Sequence, residues 1–73
     1  MKPPLLSYRD VVAALRRAGY AVVGQRGSHI KLVHPATQVT LIIPAHHEVD
    51  RWTLRAILKA ADLSVEDFLR LLP

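Results

Sequence analysis

The chain has 73 residues and a mass of 8.2 kDa, the size of one small domain, which excludes an enzyme built from separate cofactor and substrate domains. Its residues are 51% hydrophobic and 22% charged, a composition too apolar for an intrinsically disordered chain. No apolar run reaches the roughly 18 residues of a membrane span, and residues 1–4 lack the apolar stretch of a signal peptide. We therefore expect a single domain over residues 1–73, in the cytoplasm and without a membrane partner.

Basic residues outnumber acidic ones by ten to six, and the excess is unevenly placed. Up to Arg26 there is only one acid, and residues 27–47 contain Lys31 and all four histidines but no acid. A one-sided positive field favours a polyanionic partner such as RNA or DNA, although many small basic domains are charged only for solubility. The absence of cysteine excludes disulfides, thiolate metal sites and cysteine nucleophiles.

The first element in chain order is a helix after Ser7, the predicted N-cap, and it ends at Gly19, which can adopt the left-handed conformation of helix ends. Two short β-rich runs follow at residues 20–23 and 30–33, with residues 24–28 as the turn region between them. His34 is interpreted as a residue of the next turn. A third strand is predicted over residues 39–43, and it stops at Pro44.

The polar residues 45–50 are predicted to form a loop, and a second helix begins near Asp50 or Arg51. Ser64 is the predicted N-cap of a short third helix. Short connections between three sequential strands favour an antiparallel sheet. The element order therefore predicts a two-layer α+β fold, in which two helices cover one face of the sheet and leave the other face open.

The histidines are the residues of this chain best suited to metal binding or acid–base catalysis. None of their spacings matches a zinc motif, so we expect neither a metal site nor a cofactor. His29 is the best placed, because it begins a strand directly after Gly27 and Ser28 and shares a strand face with Lys31. Arg26 precedes this segment, so a phosphodiester held by Arg26 and Lys31 would lie beside the imidazole.

Such an arrangement can cleave RNA without a metal. Histidine has an ordinary pKa of roughly 6.5, so it can remove the proton from a 2′-hydroxyl that attacks the adjacent phosphorus while cations stabilise the transition state. The simpler interpretation, which spacing alone favours, is that His29 only ends the hairpin turn and contacts a backbone carbonyl. His46 is an accessory candidate, because a loop beside an open sheet face could reach phosphate.

Several motifs occur in a fixed order along nearly the whole chain. They are Gly19-Tyr20, Arg26-Gly27-Ser28-His29, Ile43-Pro44-Ala45-His46, the helix over residues 53–61 that begins Thr-Leu-Arg, and residues 63–68. In this order they resemble the HicA family of toxin ribonucleases. The resemblance implies a fold related to the double-stranded-RNA-binding domain, ribosome-independent cleavage of mRNA, and a catalytic histidine at His29. It also implies an antitoxin of the HicB type that covers this histidine.

The chain departs from this family at two positions, where Trp52 and Asp62 stand in place of residues that are commonly glycine. Trp52 is either a surface aromatic for contact with bases or antitoxin, or, as is commoner for a lone tryptophan, a residue at the edge of the core.

The expected function is that of a toxin endoribonuclease acting on single-stranded RNA, with His29 as the catalytic base. Arg26 and Lys31 would hold phosphate, and Gly27 and Ser28 would shape the approach of the substrate. Two other functions are compatible with the same residues. One is a non-catalytic module that binds duplex RNA by shape, and the other is a DNA-binding regulator that acts only together with an antitoxin.

Overall fold

The structure is a computed structural model that describes residues 6–45 and 48–73. In chain order its elements are β1 (Leu6–Ser7), α1 (Tyr8–Arg17), β2 (Ala21–Arg26), β3 (His29–Val33), β4 (Thr40–Pro44), β5 (Glu48–Val49), α2 (Arg51–Ala60) and α3 (Val65–Leu71). The strands β2, β3 and β4 form an antiparallel sheet in that order. The predicted α+β class and the order of the main elements are confirmed. The accessory candidate His46 lies outside the described residues.

Each described helix begins at a side chain that accepts a hydrogen bond from the backbone three residues later. Ser7 and Ser64 accept such bonds at 3.2 and 3.0 Å, which confirms the two predicted serine caps. Asp50 caps α2, and its carboxylate accepts from both the N–H and the hydroxyl of Thr53 at 2.8 Å. These bonds lower the pKa of Asp50, because they stabilise its charged form. Within the described ranges no helix is long and apolar enough to cross a membrane.

The core lies between the helices and one face of the three-stranded sheet. Along β3 and β4 the buried residues alternate with more exposed ones, and the buried set is Ile30, Leu32, Leu41 and Ile43. This period of two is what a sheet with one covered face requires. Phe68 of α3 joins the same core with no exposed surface.

Strand β2 is longer than the sequence pattern indicated. It continues to Arg26, so the prediction that residues 24–26 belong to the turn is wrong, and the turn has only two residues. The register with β3 shifts between Val22 and Gly24, where a β-bulge adds one residue to β2. Because a bulge interrupts the alternation of side chains, the pattern of the strand was hidden in the sequence.

Two other boundaries also differ from the prediction. The predicted loop over residues 45–50 contains β5, which pairs antiparallel with β1. Strands of two residues are too short to show a periodic pattern, and this pair is separated by most of the chain. Strand β4 includes Pro44 instead of stopping before it, which the ladder tolerates because β4 is an edge strand.

Residues with positive φ follow the first two helices. Gly19 has a φ of +104°, and a Cβ at this position would lie 2.6 Å from Nε2 of His34, so only glycine fits. Asp62 has a φ of +54°, a region that aspartate tolerates better than most residues other than glycine. His34 is a turn residue, as predicted. Its Nδ1 accepts from the N–H of Ala36 at 3.2 Å, and its ring packs edge-on against Tyr20.

Candidate active site

The β2–β3 hairpin brings three of the predicted site residues to one surface. Arg26 and His29 are direct register partners on either side of the turn, and paired residues of an antiparallel ladder point to the same face. Lys31 is two residues from His29 along β3, so it lies on that face as well. All three side chains are exposed, on the face of the sheet that the helices leave open.

These side chains surround a shallow depression in the open face. Its lining residues are Gly24, Gln25, Arg26, His29, Lys31 and Ile42. Gly24 and Ile42 are the register partners of Lys31 on the two neighbouring strands, so the lysine lies between a position without a side chain and an apolar one. A Cβ at Gly24 would meet no atom of the described residues within 4 Å. A side chain at this position would therefore extend into open space.

The hairpin turn consists of Gly27 and Ser28, two of the predicted substrate-binding residues. Gly27 has a φ of +58°, which glycine adopts without steric cost at the first position of a two-residue turn. Gln25 Nε2 donates to the carbonyl oxygen of Gly27 at 3.1 Å, and the N–H of Ala45 donates to the carbonyl oxygen of Ser28. The turn is thus held from both sides, which limits the movement of His29 directly after it.

The cations beside His29 are free to contact an anion. In the part of the chain that the structure describes, neither Arg26 nor Lys31 forms an ion pair with a carboxylate, whereas Arg70 lies 3.6 Å from Asp67. The lining residues include no acid. Two cations on one exposed face, with no acid beside them, suit a phosphate group. Residues 6–45 and 48–73 contain no cluster of three metal-ligating side chains.

Three of the lining residues were not predicted from the sequence, namely Gly24, Gln25 and Ile42. The signal for Ile42 was present, because this residue alternates with two core residues of β4 and therefore points away from the core. The other two lie in the segment beyond the bulge that was assigned to the turn. His34 follows the far end of β3, about 16 Å along the strand from His29, so it is not part of this site.

Residues 8–63 match the model of the family described as the HicA toxin of bacterial toxin-antitoxin systems. A comparison with curated proteins gave no match. The matched segment begins at α1 and ends after α2, so it contains β2, β3 and β4 and with them every lining residue of the depression. Because the match covers most of the chain, the protein belongs to the HicA family and is the toxin of a toxin-antitoxin system.

Proposed function

We propose that this toxin is a metal-independent endoribonuclease that cleaves mRNA without the ribosome. The observation that carries the proposal is the position of His29 on an exposed face beside Arg26 and Lys31, with no acid lining the depression. A base next to two phosphate-binding cations is sufficient for cleavage of RNA, because RNA carries its own nucleophile, the 2′-hydroxyl. A toxin needs an activity that harms the cell, and RNA cleavage supplies one.

His29 acts as the general base of the reaction. Its imidazole takes the proton of the 2′-hydroxyl, and the 2′-oxygen forms a bond to the adjacent phosphorus. The bond from phosphorus to the 5′-oxygen of the next nucleotide breaks, and water protonates that oxygen. The products are a 2′,3′-cyclic phosphate and a 5′-hydroxyl. Arg26 and Lys31 donate charge-assisted hydrogen bonds to the non-bridging oxygens, where negative charge increases in the transition state.

The geometry of the reaction favours single-stranded RNA as the substrate. The attacking oxygen, the phosphorus and the leaving oxygen must lie in line, and a regular A-form helix resists this arrangement, whereas a single strand can turn its bases and phosphates outward. Gly27 has no side chain, so the RNA backbone can come close to the turn. Ser28 is half-buried and holds the turn through its carbonyl group. The exposed part of Ile42 provides an apolar surface for a sugar or a base.

The antitoxin of this system is proposed to be of the HicB type and to cover His29. The family supports an antitoxin partner, and the positive surface around the depression suits an acidic segment of such a protein. Since Arg26 and Lys31 can contact either RNA or antitoxin, binding of the antitoxin would exclude the substrate.

The test is incubation of the purified chain with single-stranded RNA in excess chelator. We expect fragments with 2′,3′-cyclic phosphate or 3′-phosphate ends and 5′-hydroxyl ends, because the 2′-oxygen is the nucleophile. The same RNA with a 2′-deoxy sugar at the cleaved position is the control, and it should stay intact. Cleavage that requires added metal would contradict the proposal. A protein that binds duplex RNA and cleaves none would be the non-catalytic module instead.

Filling the depression tests whether the substrate enters it. Gly24→Leu places a large side chain where a Cβ has open space, and φ is not positive at this glycine. We expect cleavage to fall by about 100-fold, because a small displacement of the reacting atoms has an effect of this size. The melting temperature should change by less than about 4 °C, as is usual for surface substitutions in a small domain.

The matched control is Gly24→Ala, which adds only the Cβ and should retain most of the activity. Cleavage rates of the two variants and of the wild type are measured on the same RNA, with circular dichroism to follow melting. Full activity of Gly24→Leu would show that RNA does not occupy the depression.

A further inference from the structure

Helix α2 carries a second row of cations, on its solvent-exposed side. Arg51, Arg55 and Lys59 follow one another at four-residue spacing in a helix without any acid, about 6 Å apart along its axis. All three are exposed, and so is Trp52. With 3.6 residues per turn these four residues occupy about 100° of the helix circumference. We call Arg51, Trp52, Arg55 and Lys59 the α2 basic face.

Trp52 is 76% exposed, the highest value among the exposed large hydrophobic residues of the described chain. The interpretation of this residue as part of the core edge is therefore wrong. The Cζ atom of Arg55 lies 5.8 Å from the centroid of the indole ring, which is within the range of a cation–π contact. The indole ring of Trp52 is thus exposed to solvent next to the guanidinium group of Arg55.

We propose that the α2 basic face binds single-stranded RNA outside the cleavage site, with a base stacked on Trp52 and phosphates on Arg51, Arg55 and Lys59. This assignment rests on the proposed function, since it adds contacts to the same substrate. Proteins that bind single strands combine aromatic side chains for stacking with a positively charged track for the backbone. Stacking of this kind accepts any base, so the face adds affinity without selecting a sequence.

The residues around the α2 basic face favour RNA over a protein partner. The other exposed side chains of α2 are Ala56 and Ala60, which are too small to form the apolar centre of a protein interface. Lysine is depleted in such centres, whereas tryptophan and arginine are enriched there, so the charge of the face is what distinguishes the two kinds of partner. Among the described residues none of the three cations of this face forms an ion pair with a carboxylate. A row of free cations suits the repeating charge of a nucleic-acid backbone.

The α2 basic face and the depression lie on opposite sides of the domain, because the helices pack against one face of the sheet and the depression is in the other face. Ala45 is bonded to Ser28 at the hairpin turn, and Arg51 follows it by six residues. Six residues of extended chain span at most about 22 Å, so this distance limits the separation between the end of β4 and the start of α2. The chain measures 33 × 26 × 20 Å, and a strand of about 12 nucleotides spans about 40 Å at roughly 3.4 Å per nucleotide. A strand with its scissile phosphate at His29 is therefore long enough to pass round the edge of the domain and contact α2.

The experiment uses the single tryptophan of the chain as its own probe. A labelled single-stranded RNA of about 12 nucleotides, in the range of single-strand site sizes, carries 2′-O-methyl groups so that it cannot be cleaved. Binding is followed by anisotropy of the label and by emission of Trp52. We expect the emission to change in parallel with binding. Trp52→Ala should weaken binding about 5- to 150-fold, and Trp52→Phe should weaken it less, because a phenyl ring still stacks.

A second set of variants measures the phosphate contacts. Log affinity falls as log salt concentration rises, and each phosphate contact to a single strand contributes about 0.7 to the steepness of this fall. Replacing Arg51, Arg55 and Lys59 together by glutamine should therefore make the slope less steep by about 2. Arg70→Gln is the matched control. This arginine is exposed and already lies beside Asp67, so its loss should leave the slope nearly unchanged. Circular dichroism checks that all variants fold.

The outcomes separate this proposal from the nuclease proposal. Unchanged Trp52 emission at saturating RNA, or α2 variants that bind as the wild type does, would overturn the α2 assignment even if His29-dependent cleavage is found. Variants that keep RNA affinity but no longer bind the antitoxin would assign the face to the antitoxin and also overturn the proposal. Binding that depends on α2 in a protein that cleaves no RNA would support the α2 assignment and contradict the nuclease function.

Discussion

Replacing His29 by alanine is expected to lower the rate of RNA cleavage by about 10²- to 10⁴-fold, the usual contribution of a general base. RNA binding should remain, because Arg26 and Lys31 keep their positions on the sheet. Stability should also remain, since the imidazole is exposed and surface substitutions change the free energy of unfolding by about 0.5 kcal/mol or less. Single-turnover cleavage, affinity for 2′-O-methylated RNA and thermal melting measure the three quantities separately.

Lys31→Gln is the matched comparison for His29→Ala, because the two residues lie on the same face of β3. Loss of the lysine should weaken RNA binding as well as cleavage, whereas loss of the histidine should affect cleavage alone. If His29→Ala cleaves as fast as the wild type, the histidine only completes the hairpin turn, and another residue or a contaminant is responsible for the activity.

Phe68→Ala is expected to have the largest effect on stability, a loss of about 3–5 kcal/mol in the free energy of unfolding. The Phe68 side chain is fully buried, so its removal leaves a cavity in the core. The total free energy of unfolding of a small domain is only about 5–15 kcal/mol, so this loss is a large part of it. At about 4–8 °C per kcal/mol for a chain of this size, the melting temperature should fall by roughly 12–40 °C. Phe68 lies beyond the family match, which ends at residue 63.

The neighbouring residue supplies the control for Phe68→Ala. Leu69 is 45% exposed, and Leu69→Ala in the same helix should cost about 1 kcal/mol or less. Denaturation is followed by far-ultraviolet circular dichroism, because the exposed Trp52 reports poorly on the core. Equal losses for the two variants would show that α3 does not depend on Phe68 for its attachment to the core.

The helix starts could be predicted from the sequence because they depend on contacts within a few residues. Ser7 and Ser64 accept bonds from backbone groups three residues away, so the residues that form each cap are neighbours in the chain. The shared face of His29 and Lys31 is equally local, since it follows from the period of a strand. The order of motifs around His29 also indicated the HicA family, which the match over residues 8–63 shows.

Contacts between distant segments could not be predicted in this way. The pairing of β1 with β5 joins segments about 40 residues apart, and neither contains a recognisable pattern. The bulge in β2 shifts the register so that Gly24, which was assigned to the turn, lies opposite Lys31. Only the cross-strand register shows that this glycine and Ile42 line the depression. The spacing in the sequence predicted that His29 and Lys31 lie on one face of β3, but it did not predict the depression beside them.

The sequence by itself determined the helix starts and the alternating face of β3, because the contacts behind them are short in range. Its ordered motifs also indicated the family. The tertiary structure decided the shape of the depression and the exposure of Trp52, because both depend on which distant segments pack nearby. A lone tryptophan is commonly part of a core edge. The helical period places Trp52 nearly opposite the buried Leu54, and only the packed structure shows that this side of α2 stays exposed. Spacing within an element gives the side on which a residue lies, and the whole fold decides whether another segment covers that side.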